Sequence, residues 1–445
     1  MDILFTIFSF LVAITVLVGF HELGHFLVAK FFGVKILTFS IGFGKPIYSI
    51  GDGVDQTKFS LGTIPLGGYV KMLDESDNPS PDEMERTFSH KPAWQKILIA
   101  LAGPLANFIL TFVLFAFVFI ASDVSLKPVL GEPKADSLLH SVGLRGGETL
   151  LRINDREVGS WSDLKWEMTR FDANSLSVEV IGRGASNSKT FSVDLHDRST
   201  PLIWADIGLE TPEIDLKPII GFIDSDGSAS DSGLRVGDQI VAVDQLRIST
   251  WNEFVEVIRA KPGESVDLKV ERDQKFFEFS LIIGTVDGSV GRIGAAPDPD
   301  GIMQEDLIDR NGVDFVRAIG KSFQRTADLI GFTARMIEGL VAGNVGLDNL
   351  AGPLVIADQA GKTAEMGFVT FVSFLAILSV SLGVINLFPL PMLDGGHVVF
   401  HLYELILGKK LPERVIVTAQ QIGIVCLVGL MFFVIANDLL RYLGN

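Results

Sequence analysis

Four long stretches rich in apolar residues alternate with polar sequence along this chain. They extend from about Ile3 to Phe32, from Ile97 to Ala121, from Phe368 to Phe388 and from Val415 to Ala436. Each approaches or exceeds the ~20 residues with which an α-helix crosses the hydrocarbon core of a bilayer. The pattern predicts a polytopic α-helical membrane protein with four transmembrane helices. The first lacks the features of a cleaved signal peptide and is expected to stay as a span.

Between the first two spans, glycine-punctuated stretches at 38–44 and 59–70 predict two β-strands, with a turn near Gly51. Because they follow the first span directly, we expect a membrane-associated β-hairpin. Non-helical backbone at membrane depth is tolerated only where it is buried in protein or lines a wet cavity.

The polar region from 122 to about 314 contains an internal repeat. Three blocks recur at one offset of 90 positions, marked by Pro128 and Pro218, Gly143 and Gly233, and Trp161 and Trp251. Each copy ends in alternating stretches typical of β-hairpins, so two tandem mixed α/β domains are predicted. The full set of predicted domains is a membrane half at 1–121, the repeats at 122–212 and 213–300, an amphipathic helix with a connector at 301–367, and a second membrane half at 368–445.

Composition and charge narrow the possible partners. The formal net charge of −17 argues against binding nucleic acid or anionic lipid through bulk charge. The single cysteine, Cys426, excludes an intramolecular disulfide and a cysteine-built metal cage. Lysine and arginine are concentrated after the first span and between the third and fourth, which places those loops in the cytoplasm and the repeats on the opposite side.

The most informative motif lies in the first span, where His21-Glu22-Leu23-Gly24-His25 interrupts the apolar sequence. Residues four apart share one face of a helix, so His21 and His25 can offer two imidazole nitrogens to one cation. Glu22 lies beside them and is placed to act as a base. A chance H-E-x-x-H match is the alternative, but ionisable residues inside an apolar span are costly and by default functional.

A catalytic zinc site needs a third protein ligand, and Asp394 is the candidate. It follows Pro389 and Pro391, which must break the third span. The alternative is that Asp394 only begins an interfacial turn. For Asn386 we weigh a contact with the substrate backbone or oxyanion against a helix–helix hydrogen bond, and the latter is the favoured interpretation for Asn107.

Together these motifs resemble the site-2 protease family of intramembrane zinc metalloproteases. The similarity covers the whole chain and rests on the HELGH motif, the tandem repeats and two further blocks, Gly103-Pro104-x-x-Asn107 and Asn386-x-x-Pro389-x-Pro391-x-Leu393-Asp394-Gly395. It implies zinc as cofactor, with His21, His25 and Asp394 as ligands and Glu22 as the catalytic base. It also implies PDZ folds for the two repeats.

The resemblance further implies location in the bacterial inner membrane, with periplasmic PDZ domains and an active site near the cytoplasmic side. The implied substrate is a single-span membrane protein of the anti-sigma-factor type. It is cleaved in its transmembrane segment after a first extracytoplasmic cut, during an envelope stress response. Signal-peptide remnants are a second implied substrate class. The implied partners are thus a substrate helix and the lipid bilayer, with no nucleic acid.

Two hypotheses concern substrate handling. The glycine-rich hairpin could hold an unwound substrate by β-augmentation. The repeats could bind C-terminal peptides or act as a size filter. The second copy is expected to be the better peptide binder, because the first has Pro133, which lacks an N–H, near the predicted groove. An ion transporter would show inverted repeats of spans, and a PDZ scaffold would need no HELGH motif.

Overall fold

The protein is described from a computed structural model that covers residues 3–51, 56–121, 125–154, 156–169, 175–182, 185, 187–194, 207–212, 215–224, 227–286, 290–298, 301, 307–309, 313–343 and 352–443. The chain divides into two compact units. The repeat unit comprises 122–312, and the membrane unit comprises 2–121 with 313–445.

The helices, in chain order, are α1 (Ile3–Phe31), α2 (Ala93–Ala121), α3 (Leu138–Ser141), α4 (Trp161–Thr169), α5 (Ser228–Asp231), α6 (Trp251–Arg259), α7 (Phe315–Val341), α8 (Pro353–Glu365), α9 (Phe368–Asn386), α10 (Asp394–Leu407) and α11 (Glu413–Leu443). The strands are β1 (Ile36–Ile50), β2 (Lys58–Met72), β3 (Ser125–Leu126), β4 (Thr149–Ile153), β5 (Arg156–Glu157), β6 (Ser175–Ile181), β7 (Ser188–Asp194), β8 (Ile220–Ile223), β9 (Gln239–Val243), β10 (Leu246–Arg247), β11 (Ser265–Arg272), β12 (Lys275–Ile282), β13 (Gly284–Val286), β14 (Val290–Arg292), β15 (Ala295–Pro297) and β16 (Ile308–Asp309).

Four of these helices, α1, α2, α9 and α11, are long and apolar enough to cross a membrane, which confirms the four predicted spans. The observed bounds differ by a few residues. The third span stops at Asn386 rather than Phe388. A residue that precedes proline disfavours the helical backbone conformation, so the helix ends before Pro389.

One face of α1 is buried in the protein and the rest carries exposed apolar side chains. The buried face repeats every four residues, at Ser9, Ala13, Leu17, His21 and His25. A spacing of four keeps side chains on one side of a helix. The two histidines therefore continue a stripe that already faces the interior of the membrane unit.

Close contact between α1 and α2 depends on Gly24. A Cβ atom at this position would lie 2.3 Å from the carbonyl oxygen of Ala102, well inside contact distance. Small residues commonly allow transmembrane helices to approach in this way, because lipid leaves little hydrophobic force to drive association. Gly24 thus brings the backbone of α2 against the two histidines.

The predicted β-hairpin is more elaborate than expected. Residues 38–41 of β1 pair with 68–71 of β2 on one side and with 58–61 on the other, so β1 lies between two parts of the same strand. The remainder of β1 extends the pairing to Ile50, opposite Phe59. Two bent strands therefore make a sheet of four segments. The predicted turn lies partly outside the described residues.

The repeat unit contains two four-stranded sheets with equivalent connections, in the orders β5-β4-β6-β7 and β10-β9-β11-β12. The offset of 90 positions is visible in the pairing, since Val129 bridges Thr149 and Ile219 bridges Gln239. Each sheet packs on its own apolar core. In the second copy, β8, the segment expected to receive a peptide, pairs with β15 along one edge.

The segment after the repeats forms α7, an amphipathic helix at the predicted position. Further on, the fully buried carboxylate of Asp438 in α11 accepts backbone hydrogen bonds from Gly352, Leu354 and Val355. These are free N–H groups at the start of α8, which an anion satisfies favourably. Asp438 thereby fastens α8 to α11.

Candidate metal centre

The two histidines of α1 point their Nε2 atoms at the same space. The two atoms are 3.3 Å apart. His25 is held by its other nitrogen, because Nδ1 lies 2.7 Å from the carbonyl oxygen of Ile99 in α2. A carbonyl can only accept, so Nδ1 carries the proton and the Nε2 of His25 presents a lone pair.

The structure brings Asp394 to these histidines from a distant part of the sequence. Its Oδ2 lies 3.1 Å from the Nε2 of His21, and its Oδ1 lies 3.4 Å from the Nε2 of His25. Asp394 begins α10, just after the chain has left α9. A Cβ on the next residue, Gly395, would lie 2.2 Å from the carbonyl oxygen of Leu387, so glycine permits the tight return.

The donor set fits a zinc ion. One ligand atom from each of His21, His25 and Asp394 lies within 4.8 Å of the others. Nitrogen and oxygen ligands about 2.0–2.1 Å from a tetrahedral zinc are separated by roughly 3.3–3.4 Å, close to the observed separations. The Oδ2 of Asp394 is buried without a hydrogen-bond partner in the described residues, as expected for an oxygen placed to bind a cation.

Glu22 lies beside the cluster but contacts the sheet. Its carboxylate accepts a hydrogen bond from the backbone N–H of Val70 in β2. The strand passes so close that a Cβ on Gly68 would lie 3.1 Å from the Cγ of Glu22. The base candidate is therefore held between α1 and one edge of the sheet.

A cavity of about 590 Å³ gives access to this region. Its wall includes the three metal-ligand candidates, Glu22 and most of the segment from Gly67 to Met72. Asn386 also lines it, and its Nδ2 lies 3.5 Å from the Nε2 of His21. All five residues singled out from the sequence thus meet at one cavity, while the role of Asn386 stays a prediction.

The other two histidines of α10 do not join the ligand cluster. His397 lines the cavity, whereas the Nδ1 of His401 lies 3.3 Å from Glu404. Glu404 also pairs at 3.2 Å with Lys96, whose side chain is 4% exposed. This buried ion pair joins α10 to α2 and was not anticipated. The only signal in the sequence was the position of Lys96, directly before the apolar stretch that begins at Ile97.

Sequence reasoning also gave Gly103 no role of its own. A Cβ at this position would lie 2.3 Å from the Nε2 of His25 and 2.7 Å from the Cε1 of His21. Only a residue without a side chain leaves room for both rings. Its place in the Gly103-Pro104-x-x-Asn107 block was a signal, but hydropathy does not indicate that glycine is needed here to make room for the rings.

Outside the spans, an ion pair fastens the polar loop after the sheet. The Nζ of Lys35 lies 2.5 Å from the Oε1 of Glu83. Glu83 also accepts hydrogen bonds from the backbone and hydroxyl of Ser80. Hydrogen bonding to Lys35 first, and then to Ser80, lowers the pKa of Glu83 to about 2, because both favour the charged carboxylate.

The chain is similar to known proteins over nearly all its length. Residues 9–430 match peptidase family M50. The regulator of sigma-E protease RseP of Escherichia coli is 36% identical, with 99% of this chain and 100% of that protein covered. A Neisseria meningitidis protein whose name describes it as a zinc metalloprotease is 33% identical, with the same coverage of each chain. A solved PDZ domain from Listeria monocytogenes matches 18% of this chain and 87% of its own, with 24% identity and a TM-score of 0.17.

Proposed function

The chain belongs to peptidase family M50 and is a zinc metalloprotease, and from this premise we propose that it cleaves single-span membrane proteins within their transmembrane segments. The observation that carries the proposal is the position of the candidate site. His21 and His25 lie within α1, a helix apolar enough to span a membrane, and Asp394 reaches them from just beyond α9, a second such helix.

In the proposed reaction, His21, His25 and Asp394 hold the metal. Zinc supplies Lewis acidity and makes water nucleophilic near neutral pH. Glu22 takes the proton from the attacking water and passes it to the leaving amine. Asn386, whose amide lines the same cavity, donates a hydrogen bond to the substrate carbonyl as negative charge develops there.

A helical substrate hides its peptide groups in internal hydrogen bonds, so we propose that the sheet holds it unwound. The segment from Gly67 to Met72 supports this role because it lines the cavity beside Glu22. The backbone N–H of Val70, within this segment, donates a hydrogen bond to Glu22. A substrate strand paired at this edge by β-augmentation would therefore run past the base.

We propose that the two repeats are tandem PDZ domains on the periplasmic side of the inner membrane, with the active site near the cytoplasmic side. Equivalent strand connections and the constant sequence offset support the duplication. We favour a size filter over peptide capture, although β8 pairs with β15 along only one of its edges. The filter would admit substrates whose outer domain has been removed.

The name of the Escherichia coli relative supports a place in sigma-E control. We propose an anti-sigma-factor type of substrate, cut first outside the membrane, within an envelope stress response. Signal-peptide remnants are a second candidate class, since they too are single apolar helices.

The test replaces Glu22 with Gln and, separately, Asp394 with Ala in the full-length protein. Glu22→Gln should lower the cleavage rate of a reconstituted single-span substrate by at least ~10²-fold while zinc content stays at the wild-type value. Asp394→Ala should lose both zinc and activity. Unchanged cleavage by Glu22→Gln would contradict the proposed base, and tight zinc retained by Asp394→Ala would exclude the third ligand.

A further inference from the structure

The second nitrogen of His21 faces a residue that the proposed reaction does not use. His25 is oriented by the carbonyl of Ile99, two turns before Asn107 on α2. Asn107 is fully buried, and its amide Nδ2 lies 3.1 Å from the Nδ1 of His21. Each histidine thus meets one polar group from α2 through its Nδ1 atom, while its Nε2 atom faces Asp394.

The chemistry of the imidazole determines which amide atom belongs there. The Nε2 of His21 faces Asp394 and His25, so this nitrogen must keep its lone pair to bind a metal. A neutral imidazole then carries its proton on Nδ1. The group opposite must accept that proton, and in an asparagine side chain only Oδ1 accepts.

The two ends of an amide have the same shape, and their assignment follows from the hydrogen bonds around them. The Oδ1 of Asn107 is buried with no hydrogen-bond partner in the described residues. A half-turn of the amide brings this oxygen to the Nδ1 of His21. We propose that Asn107 is a positioning residue that accepts the Nδ1 proton of His21, fixing the ring and its tautomer for metal binding.

The backbone around Asn107 is well fastened for this purpose. Its carbonyl oxygen accepts hydrogen bonds from the hydroxyls of Thr111 and Ser379, each at 2.9 Å. Thr111 also lies 3.2 Å from the carbonyl oxygen of Ala376 in α9. These hydrogen bonds between α2 and α9 use hydroxyls and backbone carbonyls, so they do not involve the side-chain amide of Asn107.

The sequence favours a helix–helix hydrogen bond for Asn107, and the contact with His21 is one, since it joins α2 to α1. What the sequence did not predict is the partner, a ring nitrogen of a metal-ligand candidate. Partners of this kind orient metal-binding histidines and raise their basicity, and their removal commonly weakens metal affinity by 10–100-fold.

The experiment measures zinc affinity by competition with a chelator, using full-length protein in detergent. Asn107→Leu keeps the size of the side chain but removes the acceptor, and should weaken zinc binding by about 10–100-fold. Asn107→Asp supplies a stronger acceptor and should bind zinc at least as tightly as wild type. Thr326→Val is the control, since Thr326 is also buried in the membrane unit and its hydroxyl bonds to the carbonyl of Ser322 in its own helix, α7. Its zinc affinity should stay within about threefold.

Equal losses in Asn107→Leu and Thr326→Val would overturn the inference and assign Asn107 to helix packing. Zinc binding by Asn107→Asp more than tenfold weaker than wild type would also overturn it, and this comparison stands even if the leucine variant does not fold. The inference rests on the proposed ligand role of His21, which Asp394→Ala tests separately. If that variant loses zinc while Asn107→Leu does not, only the role of Asn107 fails.

Discussion

The interiors of the two units differ in how many polar residues they bury beside apolar ones. In the repeat unit, the fully buried side chains are large and apolar, as with Phe254, Leu150 and Ile240. In the membrane unit, apolar residues such as Leu17 and Leu110 are buried together with polar ones such as Asn107 and Ser379. Other large apolar side chains, such as Phe8 and Ile109, are exposed. The first interior is what the hydrophobic effect produces in water, and the second is what remains when the surroundings are themselves apolar.

This difference changes what a buried residue signifies. A buried leucine in the repeat unit is explained by packing alone. A buried polar group in the membrane unit needs a partner within the protein, because lipid offers none. His21, His25 and Asn107 meet at the metal centre, and Asp438 accepts hydrogen bonds from the start of α8. Buried polarity is therefore a stronger guide to function in the membrane unit.

The largest expected effect comes from Gly103→Ala. At Gly103 the backbone of α2 lies directly against the histidine rings. The added methyl would collide with the ring of His25, and the overlap cannot be relieved without moving α2 or the ring. We expect zinc affinity and proteolysis to fall by about 100-fold, the upper end of the effect of losing a partner of a metal ligand. Competition with a chelator and a cleavage assay measure both.

Gly429→Ala in α11 is its control, because a Cβ there meets nothing within 4 Å. This variant should keep full zinc content and activity, since alanine favours a helix over glycine. Equal damage from both substitutions would mean that any methyl in these helices is harmful, and would remove the special role assigned to Gly103.

The next largest effect is expected in the apolar core of the repeat unit. Phe254→Ala removes a ring that is 1% exposed in the core of the second sheet, and should lower the unfolding free energy of that part by about 3–5 kcal/mol. Pulse proteolysis of the full-length protein in detergent can measure it. Phe8→Ala removes the same atoms from a side chain that is 64% exposed, and should change stability far less. Similar losses at both sites would show that the two units do not differ as described.

Much of the fold could be predicted from the sequence, because lipid-facing segments must be apolar and exceptions to this are costly. Spans are conspicuous as apolar runs, and His21, Glu22 and Asp394 are conspicuous because ionisable residues in or next to such runs are costly. Their convergence at one cavity was expected. The role of Asn386 at that cavity remains a prediction.

Other features left no such signal. The carbonyl of Ile99 belongs to the backbone, and the space at Gly103 exists only once α1 and α2 have met. The double pairing of β1 depends on where two long strands bend, which alternation of side chains does not reveal. These features are set by tertiary contacts. The pattern of side chains along the chain could therefore predict neither the groups that surround the metal-ligand candidates nor the final form of the sheet.

The smallest expected effect concerns the ion pair between Lys35 and Glu83, which lies outside the membrane spans and is partly exposed. The pKa of Glu83 lies near 2, below its ordinary value of 4.5, because Lys35 and Ser80 favour the carboxylate. A lowered folded-state pKa means that the ion pair stabilises the fold above about pH 4.5 and that this contribution disappears as the pH falls through about 2.

Thermal unfolding of wild type and Glu83→Gln should therefore differ at pH 6 and converge towards pH 2. Because Glu83 is partly exposed, salt should reduce the difference at pH 6. A difference that persists unchanged at pH 2 would show that packing of the side chain, rather than its charge, fastens this loop.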